Sequence, residues 1–223
     1  RLLADRQFRA GVLASGMAYM AYAGNNFMMP FYLELGKRLT AQWVGPVMMV
    51  LSVVMMAVGP NAGRLSDRIP PKYLTTSGMF LAMASFTAFA FTFPLPGLVA
   101  PVVYLVLMGI AFGSFFSPNN SQVMGLAPAG RHGVSSGLLV TMNNLSMAIG
   151  ICLMETVFTL MMPAGVRVKD LGHSAGAFPK GTLAGGYRAA LLTGAVICAG
   201  ASLTSSFVKA RPKPGAEEAG GMI

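Results

Sequence analysis

Residues 98–116 read Leu98-Val-Ala-Pro-Val-Val-Tyr-Leu-Val-Leu-Met-Gly-Ile-Ala-Phe-Gly-Ser-Phe-Phe116, a run that contains no charged side chain and continues uncharged to residue 124. A membrane-spanning helix needs about 20 mainly apolar residues. Because the bilayer core offers no water to the backbone, such a segment must pair its own N–H and C=O groups as a helix. Residues 98–124 are therefore predicted to span a membrane.

The rest of the chain has the same character. Hydrophobic residues make up 54% of the 223, charged residues make up 10%, and the mean hydropathy is +0.62. A soluble domain carries about 25% charged residues, so this composition predicts a surface that mostly faces lipid. Six long apolar stretches fit the length with short connections and leave no room for a separate soluble domain. The predicted helices are 10–33, 43–60, 73–93, 98–124, 134–161 and 188–208.

The fold class is thus predicted to be all-α, as a polytopic membrane protein with one six-helix domain over residues 1–210. The segment 211–223, rich in Pro, Gly, Ala and Glu, is expected to be a disordered cytoplasmic tail. Ten of the 16 basic residues lie on the side that holds both termini. Since positive residues stay inside, both termini are predicted to be cytoplasmic, in a cell (inner) membrane. The chain opens with Arg1, and we expect it to be a piece of a longer polypeptide.

Other classes of protein are disfavoured by what the sequence lacks. The net charge of +9 comes from residues at predicted helix ends, which does not suit nucleic-acid binding. The chain has two histidines, two cysteines in apolar stretches, and neither an H-E-x-x-H motif nor a phosphate-binding glycine–lysine loop. We therefore expect no metal site, no cofactor and no enzyme activity. The lipid bilayer is the one partner that composition predicts directly.

A charged loop separates the second and third predicted helices. It reads Gly63-Arg-Leu-Ser-Asp-Arg-Ile-Pro-Pro-Lys72 and combines a glycine, an acid and three bases. Asp67 is expected to cap the positive end of the next helix, and the bases to form and release ion pairs as helices move. A plain membrane-surface anchor explains the same residues equally well.

The loop resembles the G-x-L-a-D-R-x-G-R-K signature of the major facilitator superfamily. The residues that match it in register are Gly63, Leu65, Asp67, Arg68 and Lys72. Pro70 and Pro71 stand where the signature has Gly and Arg, so the turn and one charge contact differ from the family pattern. The resemblance implies a cytoplasmic latch formed by this loop, with Arg131 at the start of the fifth helix.

Later stretches narrow the resemblance to the fourteen-span drug:proton antiporter branch of this family; they are 109–113, 130–137, 143–150 and 155–158. The resemblance implies the C-terminal six-helix half of a major facilitator fold, built from two inverted three-helix repeats, with its N-terminal domain missing. It further implies proton-coupled efflux of amphipathic or cationic drug-like compounds by alternating access. Helices one and four would line the cavity, two and five would face the missing domain, and three and six would face lipid.

The fifth helix carries the strongest candidate for proton chemistry. At 100° per residue its small and polar residues form one stripe, made of Gly137, Thr141, Asn144, Ala148, Glu155 and Thr159. Ionisable residues inside a span are rare and usually face a bundle interior or a cavity. Glu155 is therefore predicted to couple protons or recognise cations, and Asn144 to share the pathway. The alternative is a hydrated Glu155 at the outer interface.

The first helix offers a second candidate. Asn25 and Asn26 precede Pro30, which removes the hydrogen bond to the Asn26 carbonyl. This arrangement predicts either a polar spot in a substrate cavity or a kink that packs on a neighbour. Tyr104 in the fourth helix is predicted to line the same pathway.

Two features of the fourth helix are expected to be structural. Gly109 and Gly113 have the four-residue spacing that lets membrane helices approach closely. The polar residues Asn119, Asn120 and Gln122 are expected to lie at its hydrated cytoplasmic end.

Two other functions fit the residues. A carrier of the same family for a sugar, an anion or a siderophore would share the fold. A membrane module that assembles through its helices without transporting would share the composition.

Overall fold

A computed structural model of the chain describes residues 6–66, 68–126, 132–161 and 180–208. This described part is all-α, as predicted, and contains no strand. A π-helical segment, Tyr32–Gly36, prolongs the first helix. The six helices are α1 (Arg6–Phe31), α2 (Ala41–Ser66), α3 (Pro71–Thr92), α4 (Val99–Gly125), α5 (His132–Leu160) and α6 (Lys180–Ser206).

Two helices are longer than predicted. The prediction ended the second helix at residue 60, but α2 continues through Pro60 to Ser66. A proline inside a membrane helix is tolerated because neighbouring helices, polar side chains and ordered water satisfy the backbone groups that it frees. α6 begins at Lys180 rather than residue 188. The predicted tail 211–223 lies outside the described residues, as does most of the connection predicted between the fifth and sixth helices.

Five of the helices, α2 to α6, are long and apolar enough to cross a membrane. α1 has a similar length but more small and polar residues, and it buries many of them. Among its buried residues are Gly11, Ser15, Gly16, Gly24 and Asn25. The reason is its position, since α1 packs against α4, α5 and α6 and faces protein where a peripheral helix faces lipid.

The helix contacts have an internal symmetry. α1 packs on α5 and α6, α4 packs on α2 and α3, and α3 packs on α6. If α1, α2 and α3 are exchanged with α4, α5 and α6 respectively, the same set of contacts results. Each triplet has three spans, so the second triplet begins on the opposite side of the bilayer. This arrangement agrees with the inverted repeats that the family resemblance implied.

Glycines determine how closely two equivalent pairs of helices approach. A Cβ on Gly150 of α5 would overlap the backbone of Met20 in α1. In the equivalent crossing of α4 and α2, a Cβ on Gly109 would lie 2.9 Å from the Leu51 carbonyl oxygen, and one on Gly113 would lie 3.1 Å from Val58. The packing role predicted for Gly109 and Gly113 is therefore confirmed.

Hydrogen bonds between buried side chains reinforce the half of the bundle that holds the beginning of α1 and the end of α6. Ser15 of α1 donates to Asn143 Oδ1 of α5 at 3.0 Å. Ser205 of α6 donates to Thr75 Oγ1 of α3 at 2.6 Å. Such bonds between membrane helices contribute about 0.6 kcal/mol on average, so close packing remains the larger constraint.

The glycine crossing predicts a large difference between two Gly→Ala substitutions. Gly150→Ala should destabilise the protein by about 1–3 kcal/mol, because the added methyl group must push α5 away from α1. Gly185→Ala should be neutral or slightly stabilising, since a Cβ there meets nothing within 4 Å and alanine is the better helix former. Denaturation of the full-length protein in mixed micelles measures both. Equal stability of the two variants would contradict this account of the crossing.

Candidate functional site

Four aromatic rings form a continuous surface where α1 meets α4. We call Tyr19, Tyr22, Phe112 and Phe116 the α1–α4 aromatic surface. Tyr19 stacks on Phe116 with ring centres 4.4 Å apart, and Tyr22 meets Phe112 and Phe116 edge to face at 5.3 and 5.6 Å. The rings share one side because their three- and four-residue spacings repeat with the helical turn. Tyr19, Tyr22 and Phe116 are half-buried in this chain, whereas Phe112 is fully buried beneath them. The surface therefore has an open side formed by three of the four rings.

Amide groups lie at both ends of this surface. Asn26 follows Tyr22 by four residues, is half-buried, and donates from Nδ2 to the Tyr22 carbonyl at 2.9 Å. Asn120 follows Phe116 by four residues, and its Oδ1 is buried without a partner among the described residues. The surface is therefore a broad apolar patch with a polar group at each end. Asn26 was predicted from the sequence as a candidate, but the rings were not, because aromatic residues at helical spacing most often belong to the hydrophobic core.

Asn25 lies on a different side of α1 from Asn26. It is 3% exposed, and the Tyr104 hydroxyl donates to its Oδ1 at 2.7 Å. The Tyr104 ring in turn stacks on Phe89 of α3 at 4.1 Å. The structure thus brings together two of the predicted pathway residues, but inside the bundle and not on the α1–α4 aromatic surface.

A small cavity adjoins this pair. Its volume is about 20 Å³, which leaves room for one water molecule and none for a drug-sized compound. Asn25 Nδ2 and the Tyr187 hydroxyl of α6 both line it, and both lack a partner among the described residues. The cavity thus brings two unpaired polar groups into an interior that is otherwise rich in methionine and aromatic side chains. A pathway role for Asn25 and Tyr104 stays a prediction.

The polar atoms at the C-terminal end of α4 differ from the expectation. Asn119 Nδ2, Asn120 Oδ1 and Gln122 Nε2 are all buried and unpaired within the described ranges, although the sequence analysis expected them at a hydrated helix end. The last turns of α4 are covered by α1, whose Gly11 allows Val123 to approach within 2.8 Å of a Cβ position. Close packing on α1 explains why these side chains are buried.

The predicted polar stripe of α5 lies on its open side. Gly137, Thr141, Asn144, Ala148 and Thr159 are exposed in this chain. The asparagine of α5 that pairs with α1 is Asn143, through Ser15, and the pathway role of the exposed Asn144 stays a prediction. Neighbouring side chains of an α-helix point about 100° apart around its axis, so the two asparagines have different surroundings.

Glu155 is half-buried on α5. The preceding Met154 packs against Gly24 of α1, which puts Glu155 at about the depth of Asn25 and Asn26. Its carboxylate has no hydrogen-bond or ion-pair partner in the part of the chain that the structure describes. Phe158, about 60° away around the helix, packs on Tyr187 of α6. Glu155 therefore lies towards the α6 side of α5, and its proton-coupling role stays a prediction.

The charged loop between α2 and α3 is described in part. Asp67 and Arg131 lie outside the described residues, so the ion pairs of the predicted latch are not tested. A Cβ on Gly63 would lie 2.9 Å from Ser117 Oγ, so this glycine permits close contact of α2 with α4. Arg68 donates its backbone N–H to the Leu65 carbonyl at 3.0 Å, and the Lys72 ammonium lies 4.9 Å from the centre of the Tyr73 ring.

The start of α3 is formed by two prolines of this loop, and the capping role expected of Asp67 is not tested because Asp67 lies outside the described residues. The residue at the N-cap position is Pro70, which makes no side-chain capping bond, and Pro71 is the first helical residue. Proline is favoured at the first position of a helix because its missing N–H would be unpaired there anyway. Asp67 therefore precedes the cap position by three residues. The two prolines that depart from the family signature begin the helix themselves.

The opposite end of α1 is fastened to the turn between α3 and α4, a contact that the sequence analysis did not foresee. The Tyr32 hydroxyl donates to the Phe93 carbonyl at 2.7 Å. The Lys37 ammonium donates to the Leu95 carbonyl and lies 5.7 Å from the centre of the Tyr32 ring. Partial burial lowers the pKa of Lys37. These contacts follow the π-helical segment after Pro30, where one extra residue enters the helical turn.

The family follows from comparison with known proteins. Residues 1–151 match the sequence model of the Major Facilitator Superfamily. The match covers more than half of the chain and agrees with the fold. The chain belongs to the Major Facilitator Superfamily, and it is a multi-pass membrane protein.

Relatives with transport-related names are similar over most of this chain. The riboflavin transporter RibZ of Clostridioides difficile is 32% identical over 169 residues, which cover 76% of this chain and 37% of RibZ. The multidrug export protein EmrB of Escherichia coli is 26% identical over 71% of this chain and 31% of its own length. The methyl viologen resistance protein SmvA of Salmonella typhimurium is 24% identical over 78% and 36%. The chain spans about a third of the length of these relatives.

The buried Tyr104–Asn25 bond predicts a coupled effect on stability. Tyr104→Phe leaves Asn25 Oδ1 unpaired and should lower the free energy of unfolding by about 1–3 kcal/mol. In a double-mutant cycle with Asn25→Ala, the coupling should be about 0.6–1.7 kcal/mol, as found between membrane helices. Tyr73→Phe, which removes a hydroxyl from an exposed residue, serves as the control. Strictly additive effects in mixed-micelle denaturation would show that the bond contributes nothing.

Proposed function

We propose that this chain is the C-terminal half of a proton-coupled exporter of amphipathic or cationic drug-like compounds. Family membership supports a transport function, and the names of EmrB and SmvA support export of drug-like or cationic compounds. In this proposal the substrate binds between this half and an N-terminal domain. Alternating access needs two domains that rock against each other, so this half alone is not expected to transport.

The observation that carries the proposal is the α1–α4 aromatic surface. Tyr19, Tyr22 and Phe116 are partly exposed on an open side of the bundle, and the fully buried Phe112 supports them from beneath. Flat rings bind other flat rings over a large area, and ring faces attract cations. Methyl viologen and riboflavin, which appear in the names of two relatives, both contain flat aromatic ring systems. Asn26 and Asn120 would supply hydrogen bonds at the two ends of a bound compound.

The exposed faces of α2 and α5 support a position for the N-terminal domain against these two helices. α2 buries only Val44, Leu51 and Ala62, although its residues are among the most apolar of the chain. The polar stripe of α5 is exposed as well. We propose that the N-terminal domain covers these two helices, while the exposed apolar residues of α3 and α6, such as Phe80 and Val196, contact lipid.

Glu155 and the charged loop have separate roles in this proposal. Glu155 takes up and releases the coupled proton, because it is an uncompensated half-buried acid within a span. Asp67, Arg68, Lys72 and Arg131 form the cytoplasmic latch, with both termini on that side of the membrane. Substrate and proton bind different faces of this half and compete through the conformation that each favours.

A carrier for one particular solute is the second candidate. The 32% identity to a riboflavin transporter favours it. The α1–α4 aromatic surface suits a single flat metabolite as well as a set of drugs. Transport assays with riboflavin and methyl viologen side by side distinguish the two, since a dedicated carrier would discriminate strongly between them.

Removal of one ring tests the aromatic surface. Tyr22→Ala in the full-length protein should weaken the apparent affinity for methyl viologen about two- to thirtyfold, the range expected from the loss of one ring face to a cation. Tyr22→Phe should retain most of the affinity, because the ring and its contacts with Phe112 and Phe116 remain. The measurement is transport into inverted vesicles over a range of concentrations.

The control for this test is Tyr73→Ala, which removes an exposed ring outside the aromatic surface. It should leave the apparent affinity unchanged. If Tyr22→Ala also bound methyl viologen as tightly as the unaltered protein, substrate would not contact this surface.

The proton role of Glu155 is tested by Glu155→Gln in the full-length protein. We expect the variant to be made in normal amounts and to lose proton-driven export, because an amide cannot exchange a proton. Glu34→Gln, at the outer end of α1, should retain export. Measured in vesicles with an imposed pH gradient, undiminished export by Glu155→Gln would remove this residue from the mechanism.

A further inference from the structure

An open groove lies between the beginning of α1 and the end of α6, apart from every residue discussed so far. The groove is open to solvent and has a volume of about 1140 Å³. It adjoins a bilayer surface, since α1 begins and α6 ends there. The residues that line it are Arg6, Gln7, Arg9, Ala10, Leu13, Thr204 and Phe207.

The groove combines two kinds of chemistry. Arg6 and Arg9 are exposed at its outer part, and no acidic residue among those described lines it. Leu13 and Phe207 are 60% and 71% exposed. Leu13 follows Arg9 by one helical turn, which is about 5 Å deeper into the membrane. The groove is thus positive where α1 begins, with Phe207 beside the arginines just past the end of α6 and Leu13 one turn further in.

We propose that this groove binds an anionic phospholipid, with its phosphate on Arg6 and Arg9 and one acyl chain along Leu13 and Phe207. Guanidinium groups bind phosphate oxygens through paired hydrogen bonds. Basic pockets between membrane helices favour anionic headgroups by about 1 kcal/mol per basic residue. The depth order of charge followed by hydrocarbon matches a phospholipid and not a free anion. The inference does not rest on the proposed transport function.

The test is a titration of the full-length protein, purified in detergent, followed by native mass spectrometry. Phosphatidylglycerol should bind more tightly than phosphatidylcholine with the same acyl chains. The double variant Arg6→Gln/Arg9→Gln should lose about thirtyfold in affinity for phosphatidylglycerol, or about fivefold for each arginine. Phe207→Ser should weaken both lipids. Arg64→Gln, an exposed arginine at the end of α2, should bind like the unaltered protein.

Several results would overturn the proposal. Equal binding of the two lipids, or an equal loss in Arg64→Gln, would show that no specific site exists at this groove. Glycerol phosphate competing as well as the whole lipid would show an anion site that does not use the acyl chain. If phosphatidylglycerol bound only after deletion of residues 209–223, the chain's own tail would be the occupant. Should the double variant fail to fold, the single variants and the weakening of phosphatidylglycerol binding by salt in the unaltered protein decide the same question.

Discussion

The close approach of α1 to α5, and of α4 to α2, is the constraint on which the rest of the structure depends. Lipid tails are as apolar as leucine, so membrane helices gain little by simply hiding hydrocarbon from their surroundings. They associate where small residues let their backbones meet. Gly150 against Met20 and Gly109 against Leu51 are two such points. With these distances fixed, α1 and α4 are held against the rest of the bundle, and their rings meet at a defined angle.

Two adjacent asparagines of α1 lie in different surroundings. Asn25 accepts a hydrogen bond inside the bundle, while Asn26 remains beside the aromatic rings. Neighbouring residues of a helix point about 100° apart, so Asn25 forms a hydrogen bond between buried side chains while Asn26 stays partly exposed. Asn143 and Asn144 repeat this division on α5. In a helix with few polar residues, register decides which of them holds the fold and which remains available for function.

The sequence was sufficient for the fold and for part of the site. Apolar run lengths predicted the helices, and the spacing of Gly109 and Gly113 predicted a crossing that the structure confirms. It was insufficient wherever the outcome depended on which neighbour a helix face meets. The burial of Asn119, the pairing of Asn143 and the ring surface of α1 and α4 all arise from contacts between segments distant in the chain. Pro60 misled the prediction because a membrane helix tolerates a proline that would end a soluble one.

The π-helical segment Tyr32–Gly36 determines the geometry of the C-terminal end of α1. One residue beyond the ordinary count is wound into this turn, so every side chain after it is rotated by about 100° from the azimuth that a regular helix would give. Lys37 directly follows this turn and donates to the Leu95 carbonyl. If the turn reverted to regular α-helical winding, the ammonium would swing away from that carbonyl, while the Tyr32 hydroxyl at the start of the turn would keep its bond to Phe93. A change in winding, with no bending at all, would thus be enough to release one of the two contacts.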